Sequence, residues 1–304
     1  MALKQKKMIE SEKDNPIGTR VNKKAHLFGN GINRMPTSGD RYEWGNLLDR
    51  LNGEFADGEI SEIREKPFPM VYDEIINHSL NNGISDEGEI KRFIRQEINQ
   101  LQTNNRYNDF RNLKTEEILT TNYDYLIEKS LEENWKREPM SKNEKKYSIQ
   151  RRQTSSERNI WHIHGEEGDI RSILLGFRHY IDCSSAVKKR AHKAVNDLKT
   201  KHRPKEESWV DLFFTHDIDI IGLGMDFTEY PMWWLLAFRH YKNTIDKRLS
   251  INNKIRFVIP SFSIDEKKNL TDMLRAYNVE LKAVKILQYG DYNRFYKKIL
   301  NNDY

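Results

Sequence analysis

The amino-acid sequence predicts an α/β fold, with a Rossmann-like parallel sheet, helices on both of its faces and helical insertions. Short apolar runs of the kind that form buried strands recur along the chain, and segments with helical apolar periodicity separate them. Several of these runs end in glycine or in small polar residues, as strands do where they turn into a loop. The 304 residues, 37% of them hydrophobic and 11% aromatic, are sufficient for one large core.

The predicted strands are short and lie far apart in the chain. The first is the run at 25–28, which stops at a GNG turn, and the second is the run at 117–121. The third, at 159–165, alternates strictly, which places His162 and His164 on the same face. Further strands are predicted at 219–224, 254–259 and 279–286, and a shorter apolar run lies at 172–176.

Helical periodicity predicts helices between these strands, at 40–52, within 67–112, after residue 122, at 184–208, at 233–238 and at 269–277. Residues 1–24 are lysine-rich and aperiodic, so we interpret them as a basic N-terminal arm. The remainder, 25–304, is predicted to be a single domain with helical insertions near 53–112 and 184–210. The polar and basic residues 137–158 are predicted to form a mobile loop.

Charge, cysteine content and hydropathy exclude several classes of protein. The 51 basic and 46 acidic residues give a net charge of +5, too small and too evenly spread to indicate direct nucleic-acid binding. The single cysteine, Cys183, excludes an internal disulfide framework and a four-cysteine zinc site, and we expect no metal. No apolar run approaches the roughly 20 residues that span a membrane. The N-terminus lacks an apolar signal core, so we expect a cytoplasmic protein.

Four of the predicted strands end in small or polar residues, in the segments 29–33, 121–124, 162–165 and 222–226. In an open parallel sheet such ends meet along one edge, and ligands bind beyond it. Each segment also has a plainer interpretation: an ordinary turn at Gly29, a helix N-cap at Asn122, and a structural histidine at His162 or His164. His164 is followed by Gly165 at the predicted strand end, which would leave its imidazole open for acid–base work.

The four strand-end motifs, taken in order, resemble those of the sirtuin-like NAD-binding domain. They are GNGIN at 29–33, LTTNYD at 119–124, IHG at 163–165 and IGLGMD at 221–226. TTNYD in place of the sirtuin TQNID looks like the bacterial branch whose members hydrolyse NAD in anti-phage defence. The AbiH-like abortive-infection family, in which a GNG turn precedes a Pro-Thr-Ser segment such as 36–38, is similar as well. The resemblance spans most of the chain.

The resemblance implies an activity, that of an NAD glycohydrolase. NAD would be the substrate, cleaved to nicotinamide and ADP-ribose through an oxocarbenium-like transition state, as in glycoside hydrolysis. The zinc ribbon of sirtuin deacylases needs four cysteines and has no counterpart in this sequence. A zinc-dependent deacylase is therefore disfavoured.

The resemblance also implies roles for individual residues. Asn122 would orient the water and the ribose, and His164 would be the general base, with His162 beside it. The other binding candidates are Gly29, Asn30, Gly31, Ile32 and Asn33 at the pyrophosphate, Thr121 and Asp124 in the TTNYD motif, and Gly222, Gly224 and Asp226 at the adenosine half. Asp226 and Glu229 would equally suit the N-terminus of the next helix.

An enzyme that consumes NAD needs control, which predicts a homo-oligomer or a separate sensor or activator chain. Within the family that the resemblance indicates, such partners include HerA-type ATPases and short Argonautes. Two other functions stay open: a catalytically silent subunit that binds NAD or ADP-ribose, and a nucleic-acid-acting effector that uses the cationic stretch 188–203. A solvated helix face is the plainer interpretation of that stretch. The apolar helix at 233–238 is either core or an assembly face.

Overall fold

Seven strands form one mixed sheet in the computed structural model, which describes residues 23–34, 43–139, 145–200 and 204–304. The strands are β1 (Lys23–Phe28), β2 (Glu117–Thr120), β3 (Arg152–Ser155), β4 (Arg158–His162), β5 (His216–Ile221), β6 (Ile255–Pro260) and β7 (Val279–Val284). Their order across the sheet is β3-β4-β2-β1-β5-β6-β7, and every pairing is parallel except the antiparallel pair β3–β4. The predicted α/β fold is confirmed, with a mixed rather than a wholly parallel sheet.

Nine α-helices lie within the described ranges. They are α1 (Trp44–Phe55), α2 (Phe68–Asn81), α3 (Glu87–Asn99), α4 (Leu126–Leu131), α5 (Phe177–Lys199), α6 (Trp209–Thr215), α7 (Tyr230–Ile245), α8 (Lys268–Ala276) and α9 (Tyr292–Leu300). None of these helices is both long enough and apolar enough to cross a membrane.

Alternation along the strands divides the core between the two faces of the sheet. In β1, Ala25 and Leu27 belong to the apolar cluster that α5, α6, α7 and α8 cover, whereas Phe28 belongs to the cluster on the opposite face, covered by α4 and α9. Helices therefore lie on both faces, as predicted. A third cluster is formed by α1, α2 and α3 and packs against Tyr123 and Ile173. The helical segment between β1 and β2 thus lies against the loop that follows β2.

The segment 137–158, predicted to be a mobile loop, contains β3. Hydropathy does not reveal this strand because its buried side chains are polar. Gln153 donates to Glu166 Oε2 at 3.0 Å, and the Ser155 hydroxyl donates to the backbone oxygen of Glu128 at 3.0 Å. Arg151, just before the strand, is also buried and lies 3.2 Å from Glu166. Paired polar groups of this kind are stable inside a protein, so the strand forms without an apolar run.

Several element bounds differ from the prediction by a few residues. β1 begins at Lys23, so the sheet includes the last two residues of the predicted arm, whose other residues, 1–22, lie outside the described ranges. The helix predicted at 40–52 is α1, which runs to Phe55, and residues 40–42 lie outside the described ranges. The third predicted strand ends at His162 rather than at Gly165. The C-terminal helix α9 has no counterpart in the prediction.

In α7, the core interpretation of the apolar stretch at 233–238 holds for its leucines. Leu235 and Leu236 are buried in the sheet core. Trp233 and Trp234 are half-buried and pack against the same cluster.

Candidate active site

The chain changes direction across the sheet at β1, which creates a topological switch point. From β1 the chain proceeds to β2 and β4 on one side of the sheet and then crosses to β5, which pairs with β1 on the other side. Ligands of open parallel sheets bind at such points, beyond the carboxyl ends of the strands. The four predicted motifs lie at the ends of β1, β2, β4 and β5, which are adjacent strands. The fold therefore brings all four motifs to one edge of the sheet.

Glycines of the first and last motifs allow the ends of β1 and β5 to pack closely. The N–H groups of Gly29 and Gly31 donate to the backbone oxygens of Ile221 and Gly222, each at 2.9 Å. A Cβ on Gly31 would lie 2.7 Å from the Tyr296 hydroxyl, and one on Gly29 would lie 2.6 Å from the Gly222 oxygen. Glycine is thus required by close backbone approach. Both N–H groups are used within the fold, so the expected contact of Gly29 and Gly31 with a pyrophosphate cannot be made through them.

A buried arginine outside the motifs holds the turn that follows β1. Arg106 Nη1 donates to the backbone oxygens of Gly31 at 2.8 Å and Arg34 at 2.6 Å. The guanidinium carbon lies 5.0 Å from the centroid of the Tyr296 ring, and the neighbouring Ile32 side chain is fully buried. Because guanidinium offers several donors in a fixed plane, it can hold two carbonyl groups in one geometry.

Asn33 and Asp124, predicted from two different motifs, are joined by a hydrogen bond. Asn33 Nδ2 donates to Asp124 Oδ2 at 3.2 Å and to Asn30 Oδ1 at 3.1 Å, and the Tyr107 hydroxyl donates to Asn33 Oδ1. Asp124 Oδ1 also accepts from the backbone N–H of Leu126 at 3.0 Å. Burial nevertheless raises the pKa of Asp124. The ends of β1 and β2 are therefore connected through a buried carboxyl group.

The side chain of Asn122 is buried without a hydrogen-bond partner among the described residues. Only 2% of the residue is exposed, and neither Oδ1 nor Nδ2 makes a hydrogen bond there. The backbone of Asn122, in contrast, is held on both sides. Its N–H donates to Thr120 Oγ1 at 3.0 Å, and its oxygen lies 3.2 Å from His162 Nδ1. Since buried polar groups are nearly always paired, an unpaired amide on a fixed backbone indicates a place for a ligand.

His162 contacts α4, on one face of the sheet. Its Nε2 lies 2.6 Å from Glu128 Oε1, and its ring packs edge-on against Tyr125 with centroids 5.4 Å apart. Burial lowers the pKa of His162, but the Glu128 carboxylate more than offsets this effect, and the pKa rises to about 9. His162 is therefore a charged residue at neutral pH.

His164 contacts helices on the other face. Its Nε2 lies 2.9 Å from Glu229 Oε2, next to the start of α7, and its ring lies edge-on 5.5 Å from that of Tyr180 in α5. The helices α5 and α7 cover the face opposite to α4. The prediction that the two histidines share a face is therefore wrong. Strand alternation stops because β4 ends at His162, and Gly165 has a φ of +94°, in the region that favours glycine.

A pocket opens between α1, α3 and the loops that follow β1 and β2. Asn30 and Asp124 line it from the predicted motifs, and Trp44 and Tyr123 contribute aromatic rings, with centroids 5.1 Å apart. The enclosed part of this pocket is small, about 30 Å³, which is enough for one or two water molecules.

The remaining predicted residues are less enclosed or serve the fold. The N–H of Thr121 donates to the backbone oxygen of Phe28 at 3.2 Å. Gly224 and Asp226 are exposed. Asp226 Oδ1 accepts from the N–H of Thr228 at 2.9 Å, in the turn before α7. This contact favours the plainer interpretation of Asp226 as a residue of the helix N-terminus.

The described ranges contain no cluster of three or more histidine, cysteine or acidic side chains that could hold a metal ion. Cys183 lies on the buried face of α5, and burial raises its pKa to about 12. Its thiol is therefore neither exposed nor readily ionised.

The centre of this site lies in a segment with a known family resemblance. Residues 116–204 match the model of the SIR2-like domain family. The SIR2-like domain includes Asn122, His162 and His164, but neither the turn after β1 nor Gly222. No curated protein matches the chain. A SIR2-like domain suggests NAD binding or NAD processing.

Two carboxylates beside the histidines were not assigned to the site by the motifs. Glu128 is a charged residue directly after the apolar residues Leu126 and Ile127 of α4. A charge beside an apolar helix face is the one feature of the sequence that could have indicated a role for Glu128. Glu229 was considered only as a residue of the helix N-terminus. Its contact with His164 depends on how α7 packs beside β4, and no local pattern reveals it.

The cations of α5 are largely paired with acidic side chains. Arg190 Nε lies 2.7 Å from Asp211 Oδ1, and Lys199 Nζ lies 2.7 Å from Asp246 Oδ2. Residues 201–203 of the cationic stretch lie outside the described ranges. Pairing reduces the charge available for phosphate groups, which favours a solvated helix face.

Proposed function

We propose that the chain is an NAD glycohydrolase, which uses water to cleave NAD to nicotinamide and ADP-ribose. The observation that carries this proposal is the buried, unpaired side-chain amide of Asn122 at the end of β2. The SIR2-like match over residues 116–204, which includes Asn122, supports NAD as the substrate. An amide offers both a donor and an acceptor, so one side chain can hold a ribose hydroxyl and a water molecule together.

The reaction exchanges one bond at the anomeric carbon of the nicotinamide ribose. The C–N bond breaks, and its electron pair neutralises the positive charge of the pyridinium ring, so nicotinamide leaves without needing a proton. Water then forms the new C–O bond to the oxocarbenium-like centre and loses a proton. The protein therefore has to position the ribose and the water and to accept one proton.

His164 is the residue that we propose as the proton acceptor. Glu229 lies 2.9 Å from its Nε2, and the two side chains are only 9% and 13% exposed. A carboxylate at one ring nitrogen orients an imidazole and stabilises the imidazolium that forms when the other nitrogen takes up a proton. Glu229 would thus hold the ring of His164 in place and leave Nδ1 to accept the proton.

The nicotinamide ring would lie at the mouth of the pocket beside Asn30 and Asp124, because the enclosed cavity of about 30 Å³ is too small to hold it. The rings of Trp44 and Tyr123 offer apolar surfaces there, and the Asp124 carboxyl can accept a hydrogen bond from a carboxamide N–H. In this arrangement the scissile bond would lie near the end of β2, where Asn122 is located.

The test is incubation of the purified chain with NAD, alone and with candidate partner chains, followed by quantification of nicotinamide and ADP-ribose. Wild-type protein should release both products in equal amounts. His164→Ala should lose at least about 100-fold in turnover while NAD still raises its Tm. His192→Ala, which changes an exposed histidine of α5, is the matched control and should turn over normally. A wild-type Tm that rises with NAD without NAD consumption would identify a silent binding subunit and would contradict the proposal.

We also propose that this activity is the toxic effector of an anti-phage abortive-infection system. The resemblance of the TTNYD motif supports this role, and control would come from oligomerisation or from a partner chain such as a HerA-type ATPase or a short Argonaute. Cellular NAD should fall in infected bacteria that carry the wild-type chain and should stay constant with His164→Ala. Constant NAD with both chains would contradict the effector role.

A further inference from the structure

His162 and Glu128 form a buried pair directly next to Asn122. Both side chains are fully buried, and His162 Nε2 lies 2.6 Å from Glu128 Oε1. The other ring nitrogen, Nδ1, lies 3.2 Å from the backbone oxygen of Asn122. Both neighbours are hydrogen-bond acceptors when the carboxylate is ionised, so only a ring with a proton on each nitrogen satisfies both contacts.

The surroundings of the pair favour this charged ring. The carboxyl groups of Glu166, Asp124 and Glu167 also interact electrostatically with His162. The edge-on ring of Tyr125 excludes water from one side. His162 is therefore a donor at both nitrogens throughout the neutral pH range.

Fully buried ion pairs such as His162–Glu128 are costly to form. Burying two charges costs several kcal/mol per ion, and replacing such a pair by apolar residues of similar size is often neutral or stabilising. The pair therefore contributes more through what it holds in place than through stability. What it holds is the Asn122 carbonyl. The same loop is also held by the Thr120 hydroxyl and by the N–H of Glu167, which donates to the Tyr123 oxygen at 2.8 Å, among other contacts.

We propose that Glu128 and His162 are positioning residues, which aim the Asn122 side chain into the site by holding its backbone oxygen through the Nδ1–H of His162. This inference rests on the proposed function, because it assigns the pair a part in the same reaction. Neither residue contacts the substrate in this arrangement. A misplacement of about 1 Å at a reacting group can cost on the order of 100-fold in rate, so loss of the pair should act on kcat.

The test compares a variant that removes the donor with one that keeps it. Glu128→Leu/His162→Leu removes both charges at similar volume and should remain folded, with kcat lowered by about 10- to 100-fold and KM changed by less than about threefold. In Glu128→Gln the new amide can donate to Nε2, so a neutral His162 still donates from Nδ1 to Asn122. This variant should keep kcat within about threefold of wild type. A folded double-leucine variant with wild-type kcat would overturn the proposal.

A histidine–glutamate pair outside the site, with a buried histidine and a half-buried glutamate, is the control. Glu87 Oε1 lies 2.7 Å from His179 Nε2, between α3 and α5. Glu87→Leu/His179→Leu should change Tm without changing kcat. If the wild-type chain releases no nicotinamide, the proposed function fails and NMR alone decides the inference. His162 should then show protons on both ring nitrogens at neutral pH. Hydrogen exchange at the backbone N–H of Asn122 should be faster in Glu128→Leu/His162→Leu than in the wild-type chain. Unchanged exchange would overturn the proposal.

Discussion

Two buried asparagines at the same edge of the sheet should respond oppositely to truncation. The Asn122 side chain makes no hydrogen bond among the described residues. Asn33, only 1% exposed, contacts Asp124, Asn30 and Tyr107. Asn122→Ala and Asn33→Ala therefore delete the same chemical group from two different environments. We expect the first variant to lose activity and the second to lose stability.

The size of each effect follows from these contacts. A buried polar group without a partner costs about 1–3 kcal/mol in the folded state, so its removal at Asn122 offsets the lost packing. The free energy of unfolding of Asn122→Ala should stay within about 1 kcal/mol of wild type. Asn33→Ala deletes three hydrogen bonds and leaves Oδ2 of the buried Asp124 carboxyl without this donor, which should lower the free energy of unfolding by about 2–4 kcal/mol.

The assay is urea unfolding of both variants, monitored by fluorescence and circular dichroism, together with nicotinamide release at saturating NAD. Asn122→Ala should lose about 100- to 1,000-fold in kcat, the usual cost of removing one group that stabilises a transition state. Asn252→Ala is the control, because Asn252 is exposed and precedes β6 at the opposite edge of the sheet. A loss of stability in Asn122→Ala as large as that in Asn33→Ala would refute the reasoning, since it would reveal a partner for the amide within the fold.

Three further outcomes are expected. Gly222→Ala should lower the free energy of unfolding by about 2–4 kcal/mol, because φ is +64° and the new Cβ would lie 2.2 Å from the Tyr296 hydroxyl. In urea unfolding, Gly222→Ala/Tyr296→Phe should recover part of the lost stability. Gly224→Ala should hardly change the stability, because its Cβ would meet nothing within 4 Å. The pKa of His162 is raised from 6.5 to about 9, so the stability that its charged form adds over its neutral form is fully present below about pH 6.5 and is lost as the pH rises through 9. Urea unfolding between pH 6 and 10 should show this slope, and Glu128→Gln should flatten it. A strong zinc chelator should alter neither Tm nor NAD turnover, and a large effect on either would contradict the expectation that no metal is bound.

The elements of the sheet were predictable because their signal is local. A strand buried on both faces needs a largely apolar run, and the run at 25–28 in β1 can be recognised from the local sequence, without knowing which strands pair with it. The strand β3 shows the limit of that signal. Its buried residues Gln153 and Ser155 are polar and are stabilised by hydrogen bonds to Glu166 and Glu128, so hydropathy alone indicates a loop.

The motifs of the site were predictable for a related reason. Strand-end turns require small residues where two backbones approach closely, as at Gly31 and Gly222, and this requirement leaves a trace in the sequence. The position of the motifs at one edge follows from parallel pairing, which the alternation of strands and helices already indicates. The sequence predicted that Asn122 and His164 lie at the same edge of the sheet. Their roles in the reaction remain predictions.

The sequence by itself determined that the chain is an α/β protein with four polar strand ends, because apolar periodicity and glycine placement are properties of short segments. Only the tertiary structure decided which face each histidine occupies. Alternation holds within a strand, and β4 stops at His162, so the chain carries His164 to the opposite face. Only the packing of α4 and α7 supplies Glu128 to the first histidine and Glu229 to the second. Such contacts join residues far apart in the chain, and no local pattern encodes their distance.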